Sequence, residues 1–445
     1  MKRYIIYLFC TFFIHVGVNA ETINLEQARA LALANSRSLA KYNLNLRSSE
    51  LDEKSQLYSM LPSLSADYSA SMNYLDNDFN FVNPIDTFDS RATLSVTQTI
   101  FQGGKSFIKK AISELNSESL RKDALNEYFN VLDSADSAYY AVLEDAASLE
   151  ASESALAATL SSLAIAEIRQ SSGMINQGDY LKALADKESQ ENSRNQARRN
   201  LSLSTAKLKS LLGIDFIPQP EHIDFSGYEA LIQYLGNISD EDAESLYNNL
   251  WKIIVSSNPS LAKYALNNQK AAKNLSLARR ETSPVISATI FSGSIGYSSA
   301  NGFGSSSGGG VTIRGSIPLD FWVFSNTIEK SKISASMAAL DYAGAEIQLE
   351  TDLQSAIINA FTQAESVLSS RRSLEYTQKH FEYVEERYRL SQSSVSELGD
   401  ASSLLISSRN NLIKSQFGFL QSLSRIRSLG AMDDEQKLVN ILLGK

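Results

Sequence analysis

Two patterns of apolar and polar positions alternate along this chain. The first is helical and unusually long. No Gly or Pro lies between Gly104 and Gly173, no Pro lies between Pro84 and Pro218, and none follows Pro318. Stretches so free of breakers, rich in Ala, Leu, Glu, Lys and Gln, predict helices far above the usual length. A helix of nearly seventy residues extends about 100 Å at 1.5 Å per residue. The spacing predicts helices over about 24–57, 104–172, 176–212, 242–282, 326–391 and 397–429. In the last, Leu398, Leu405, Leu412, Phe419 and Ile426 recur every seven residues, and Ala401, Ser408, Ser415 and Ser422 follow three places behind. That repeat implies a left-handed seam with close contact between neighbouring helices. An ordinary antiparallel coiled coil has the same signature. Residues 214–241 and 431–445 are mixed and predict short elements beside the rods.

The second pattern has period two. It runs over 64–74, 91–101, 285–297 and 311–320, with apolar residues such as Leu64, Leu94, Ile286 and Ile313 alternating with Ser, Thr, Asp and Arg. The third segment slips phase at Phe291, which predicts a bulge. About ten alternating residues suit a strand that crosses a membrane with one face to lipid and one to water. A soluble half-buried sheet reads the same way. The polar stretches Leu75–Ser90 and Ser299–Gly310 read as hairpin loops. Phe101, Phe321, Trp322 and Phe324 stand at the opposite strand ends. They suit either an aromatic belt at the lipid boundary or the packing of a strand-to-helix turn.

Both patterns occur twice. Ser38-Leu39-Ala40-Lys41-Tyr42 returns 222 positions on as Ser260-Leu261-Ala262-Lys263-Tyr264, and Pro62 returns as Pro284. The period exceeds any solenoid repeat and implies a duplicated unit. The chain then divides into a leader (1–20), a first repeat (21–230), a second repeat (231–430) and a C-terminal segment (431–445). The leader has Lys2 and Arg3 before the apolar run Tyr4–Ile14, then Val18-Asn19-Ala20, the form of a secretory signal. The single cysteine, Cys10, lies inside it, so neither a disulfide nor an acyl anchor is expected. No other stretch predicts a membrane helix. The net charge of −9 argues against nucleic acid as a partner.

Hydrogen-bond closure connects these observations. A spanning sheet must pair every backbone group, and four strands cannot close a barrel. Three chains would supply twelve and leave a lumen. The leader, the duplicated layout, Phe101-Gln102-Gly103-Gly104-Lys105, Leu211-Leu212-Gly213, Ser316-Ile317-Pro318-Leu319-Asp320 and Leu429-Gly430 together resemble the TolC-like outer-membrane efflux proteins. The resemblance spans roughly Thr22 to Gly430. It implies a mainly α fold with membrane β, in which a homotrimer forms a twelve-strand barrel continued by a long periplasmic helical barrel. It implies export of drugs or proteins through the outer membrane. The implied partners are a periplasmic adaptor (membrane fusion protein) and an inner-membrane pump of ABC, RND or MFS type.

The resemblance also singles out residues near the turn before the last long helix. Glu397 and Asp400 are three apart and share a helix face. They would form stacked acidic rings at a periplasmic gate, where rings of carboxylates select cations. Two solvated acids at a helix N-terminus are the plainer reading. Asp179 and Tyr388 match positions of a gate latch, while an arginine expected near Ser393 is missing. Asp179 also stands where a helix cap is wanted. No catalytic constellation, metal signature or phosphate loop is visible, so neither an enzyme nor a cofactor is expected. The alternative to a channel is a secreted or periplasmic coiled-coil protein with a structural or adhesive role.

Overall fold

The computed structural model describes residues 20–73, 87–293, 295–298, 302–305 and 308–443. The predicted leader, Cys10 included, lies outside the described residues except for Ala20, as do 75–86 of the first predicted hairpin loop. The second, Ser299–Gly310, is not all loop, because Gly302–Ser305 pairs as a strand with Ile295–Ser298. The chain opens with β1 (Ala20–Ile23), α1 (Leu25–Asn35), α2 (Arg37–Tyr58), β2 (Ser63–Asn73) and β3 (Thr87–Phe101). It continues with α3 (Lys105–Ser171), α4 (Gln177–Leu212), β4 (Ile217–Pro220), a 3-10 turn at Phe225–Tyr228, α5 (Glu229–Leu235), α6 (Asp240–Ser257) and α7 (Pro259–Ala278). Then follow β5 (Val285–Phe291), β6 (Ile295–Ser298), β7 (Gly302–Ser305), β8 (Gly310–Ser316), α8 (Phe321–Arg389), α9 (Val395–Leu429) and α10 (Glu435–Leu442).

Local chemistry explains where these elements depart from the sequence pattern. The stretch 24–57 is two helices, because Ser36 is extended and its hydroxyl caps the next helix at Leu39 N, 3.1 Å away. The stretch 242–282 also divides. Asn258 accepts from Leu261 N at 2.8 Å, and Pro259, which has no N–H to give, opens α7. β3 begins at Thr87, earlier than its alternation suggested, and β8 stops at Ser316, two residues before Pro318 removes a ladder donor. The segment 285–297 forms β5 and β6 rather than one strand. Phe291 pairs with Ser95 and Ile295 with Ala92, a one-residue shift where the phase slipped. α8 starts at Phe321, so Phe321, Trp322 and Phe324 lie in its first turn and not at a strand end.

The chain forms two compact units. One comprises residues 40–127 and 255–351, the other 1–39, 128–254 and 352–445, and α3 and α8 contribute to both. The first unit carries the sheet. All its pairings are antiparallel: β3 has β2 on one side and β5 with β6 on the other, β8 pairs with β5, and β7 with β6. One face is polar, with Ser65 and Ser95 hydroxyls 2.8 Å apart and Thr97 and Thr289 hydroxyls 3.0 Å apart. The other exposes Leu64, Tyr68, Leu94, Ile290 and Ile313. The β3–α3 turn uses Gly103 and Gly104 at φ 64° and 75°, the left-handed region. A Cβ at Gly103 would stand 2.3 Å from the Ser283 side chain. Among the described residues no helix is long and apolar enough to cross a membrane.

The second unit is organised around a buried carboxylate. Asp136 is fully buried in an otherwise apolar stripe with Leu132, Tyr139 and Leu143. Arg29 grips it with two bonds of 2.6 and 2.9 Å, Arg427 with one of 2.7 Å, and the Ser424 hydroxyl donates at 2.7 Å. Arg29 also reaches Glu435 at 3.2 Å, and the Tyr228 hydroxyl donates to the same carboxylate at 2.5 Å. One network therefore fastens α1, α3, α9, α10 and the 3-10 turn. Nearby, β1 pairs in parallel with β4, and the Tyr139 hydroxyl lies 3.0 Å from both the Ile23 and Glu221 carbonyls. Burial pushes that phenol up to about 12, so it remains a donor. Removing Asp136 would leave two guanidinium groups without their shared counter-charge. Asp136→Ala is expected to cost about 3–5 kcal/mol, read from denaturant unfolding in detergent.

Candidate functional site

The acidic pair and the latch residues fall in the second unit, at the turns that join α3 to α4 and α8 to α9. The two turns are built alike. After α3 the chain closes with Met174 N to Arg169 O at 2.8 Å and Gly173 N to Gln170 O at 3.0 Å, with Gly173 at φ 72°. After α8 the same bonds run from Gln392 N to Arg387 O at 2.8 Å and from Ser391 N to Tyr388 O at 3.0 Å. Here Ser391 takes the left-handed position, at φ 61°. Asn176 then caps α4 and Ser394 caps α9. The cap of α4 is therefore Asn176, whose side chain accepts from Asp179 N at 2.9 Å; Asp179 lies inside the first turn.

Glu397 occupies the matching first-turn position of α9. Its N–H donates to Ser394 Oγ at 3.1 Å, and its carboxylate accepts from Ser393 Oγ at 2.6 Å. The Ser393 bond, then the Ser394 contact, hold its pKa below the usual glutamate range. So Ser393, where an arginine was expected, orients the acid. Asp400 lies one turn further on, and both acids are exposed. Behind them, Gly399 faces Asp186 of α4 so closely that a Cβ would stand 3.0 Å from the carboxylate. A cleft of about 90 Å³ opens there, with Ser162, Asp186, Gln190, Phe381 and Ser402 in its walls.

Tyr388 is buried in a cluster with Leu163, Ala166, Ala183, Val395 and Leu398. Its hydroxyl points to the Ser162 carbonyl, 3.5 Å away, rather than donating to Asp179. Burial raises the phenol's pKa first of all, and Asp179 adds to the rise while Arg169 opposes it. The structure adds a residue that the sequence reading missed. Arg169, only 8% exposed, stacks its guanidinium 4.4 Å above the Tyr388 ring. It donates to the Tyr388 carbonyl and, at 3.3 Å, to the Arg389 carbonyl. A cation thus meets the negative end of α8. Its signal was present in the sequence, since Leu163, Ala166 and Arg169 follow one helical face and a charge replaces the third apolar residue.

The aromatic candidates belong to the sheet-bearing unit. Phe101 ends β3, and Phe321 and Trp322 open α8; all three are exposed, whereas Phe324 is partly covered. The serine at the left-handed position makes a sharp stability prediction. An L-residue there costs about 1–2 kcal/mol, partly offset by the freedom glycine has when unfolded. Ser391→Gly is expected to stabilise the chain by about 0.5–1 kcal/mol, and Gly173→Ser to destabilise it by a similar amount, both measured by thermal unfolding.

The structure is similar to that of CusC, at TM-score 0.78 and 16% identity, covering 94% of this chain and 95% of that one. It is similar to the CmeC outer membrane channel of Campylobacter jejuni, at TM-score 0.75 and 16% identity over 93% and 88% of the two chains. It is also similar to the outer membrane protein VceC of Vibrio cholerae, at TM-score 0.74 and 15% identity over 92% and 97%. At these identities the likeness establishes the fold. No curated protein sequence matches the chain. The sequence model of the outer membrane efflux proteins matches it twice, over residues 28–214 and 250–430, and the chain belongs to the outer membrane efflux protein family.

Proposed function

We propose that this protein is a homotrimeric, passive exit duct of a tripartite efflux or type I secretion system. One observation carries the reading: the sheet has an apolar face that exposes Leu64, Tyr68, Leu94, Ile290 and Ile313, and two outer edges, β2 on one side and β8 with β7 on the other, that no described strand pairs. In lipid such a sheet must close on other copies. β5 with β6, and β8 with β7, each lie in line across the sheet, so one copy supplies four strand positions and three copies give a twelve-strand barrel with a water-filled bore. The duct lies in the outer membrane, with its helical tunnel in the periplasm, and it conducts drugs or proteins without a cofactor. A periplasmic adaptor and an ABC, RND or MFS pump supply cargo and energy. Residues 1–20 are removed as the leader, and 21–230 and 231–430 are the duplicated halves. The twofold family match supports that division.

The helices of the sheet-bearing unit support a ring. α2 exposes Leu44, Leu51 and Tyr58, and α8 exposes Ile333, Leu340 and Ile347, each set spaced by seven. Two different unpartnered seams on one chain favour a head-to-tail contact that closes by rotation. Phe101, Phe321 and Trp322 then stand at the lipid boundary. Light scattering in detergent is expected to give three chains per particle, and Leu340→Glu to shift it toward monomer. A wild-type monomer would remove the assembly altogether.

At the tip, three copies place Glu397 and Asp400 in two rings that favour cations. Arg169, stacked on Tyr388 and bonded to the carbonyls after it, holds the two turns together in the closed state. Single-channel recording is expected to show weaker cation preference for Glu397→Ala with Asp400→Ala; an unchanged preference rejects the gate. The pH dependence has a definite sign. A depressed Glu397 pKa keeps the ring charged as pH falls through the ordinary glutamate range, and charge is lost only below it. Ser393→Ala removes the main cause, so cation preference should fade at higher pH than in the wild type.

A further inference from the structure

The polar face of the sheet carries few charges, and they are unevenly placed. β2 has one, Asp67; β3 has Asp89 and Arg91; β5, β6 and β7 have none; β8 has one, Arg314. The pairing fixes their surroundings. Asp67 faces Thr93, and Ser69 faces Arg91, so Arg91 is diagonal to Asp67 and two residues along from Asp89. One arginine is therefore shared between two carboxylates, and the β2 side is left with an excess negative charge. Arg314 faces Ser287, with Thr312 and Ser316 beside it on the same face. No acidic residue stands within two positions of it in β8 or β5. The two open edges of the sheet thus carry one uncompensated charge each, of opposite sign.

We infer that Asp67 of one copy and Arg314 of the next form a cross-strand ion pair that sets the register of the seam between protomers. The inference rests on the ring-shaped assembly proposed above. Strand directions alternate across the sheet, so β8 of one copy meets β2 of its neighbour antiparallel. A register that keeps both polar faces inward can change only in steps of two residues. Several such registers satisfy the lipid-facing side equally, because β2 and β8 both alternate throughout. Charge separates them. One register sets Asp67 directly opposite Arg314, with Cβ atoms about 4.5–5.5 Å apart. In that register Ser65 faces Ser316, and Ser69 faces Thr312. A two-residue slip in either direction places both charges opposite hydroxyls. A rotational assembly repeats the pair at every seam, so the slip is penalised once per protomer.

Disulfide trapping reads the register while leaving both charges in place. The full-length chain with Cys10→Ser carries one cysteine pair at a time, and covalent multimers are measured on denaturing gels after mild oxidation in detergent. Ser69→Cys with Thr312→Cys and Ser65→Cys with Ser316→Cys are expected to give a ladder at least tenfold stronger than the slipped pairs. Those are Ser71→Cys with Thr312→Cys and Ser63→Cys with Ser316→Cys. A ladder favouring either slipped pair, or equal ladders from all pairs, overturns the register. So does the absence of any ladder from protein that light scattering shows to be trimeric. A monomeric wild type instead sinks the assembly itself, so the two failures are distinct. Charge exchange gives an independent reading. Asp67→Arg is expected to lower the trimer fraction severalfold, and Asp67→Arg with Arg314→Asp to restore it; an unaffected Asp67→Arg trimer overturns the pair.

Discussion

Backbone hydrogen bonding is the constraint on which this structure depends. A helix satisfies it internally, which is why α3 and α8 run for 67 and 69 residues without support from any strand. A sheet satisfies it only by having neighbours. Here β3, β5 and β6 are paired on both sides, while β2, and β8 with β7, leave an open edge on either side of the sheet. In water an open edge is a liability that proteins blunt with charges or bulges. In hydrocarbon, where we propose that the apolar face of this sheet lies, it is not sustainable. The proposed assembly, the bore and the seam follow from that single imbalance.

Buried polar groups mark where the helical parts are fastened. Asp136 takes bonds from Arg29, Arg427 and Ser424, so the chain's early and late helices meet on one carboxylate. Such a network contributes less through its Coulomb energy than through the cost of breaking it, because any single partner left alone is a buried charge. Arg169 solves a different problem. The last carbonyls of α8 lack helical partners, and a guanidinium from α3 supplies the donors. Its flat face also covers the Tyr388 ring, so one side chain serves two adjacent residues.

The corresponding parts of the chain do the same backbone work with different residues. The turn after α3 uses Gly173 where the turn after α8 uses Ser391. Asn176 and Ser394 both cap the following helix. Gly103 and Gly104 take left-handed conformations between β3 and α3, whereas β8 reaches α8 past Pro318 without them. What is retained in each case is the hydrogen-bond geometry. A cap needs only an oxygen at the right height, and several side chains provide one.

The sequence by itself determined the lengths and kinds of the main elements. Breaker-free runs give long helices, and period two gives strands, because side-chain direction follows backbone geometry alone. It also located the slip at Phe291 and placed Glu397 and Asp400 on one helix face. It missed the breaks at Ser36 and Asn258, since both residues are compatible with a helix until their side chains turn back on the backbone. It did not reveal that Tyr388 would find Ser162 rather than Asp179, or that Arg169 would close the turn after α8. Those partners are more than two hundred residues apart in the chain. The same holds for Asp136, whose arginines come from opposite ends of the sequence. Periodicity states which face of an element is buried, but only packing decides what that face meets, because a hydrogen bond depends on distance in space and not on separation along the chain.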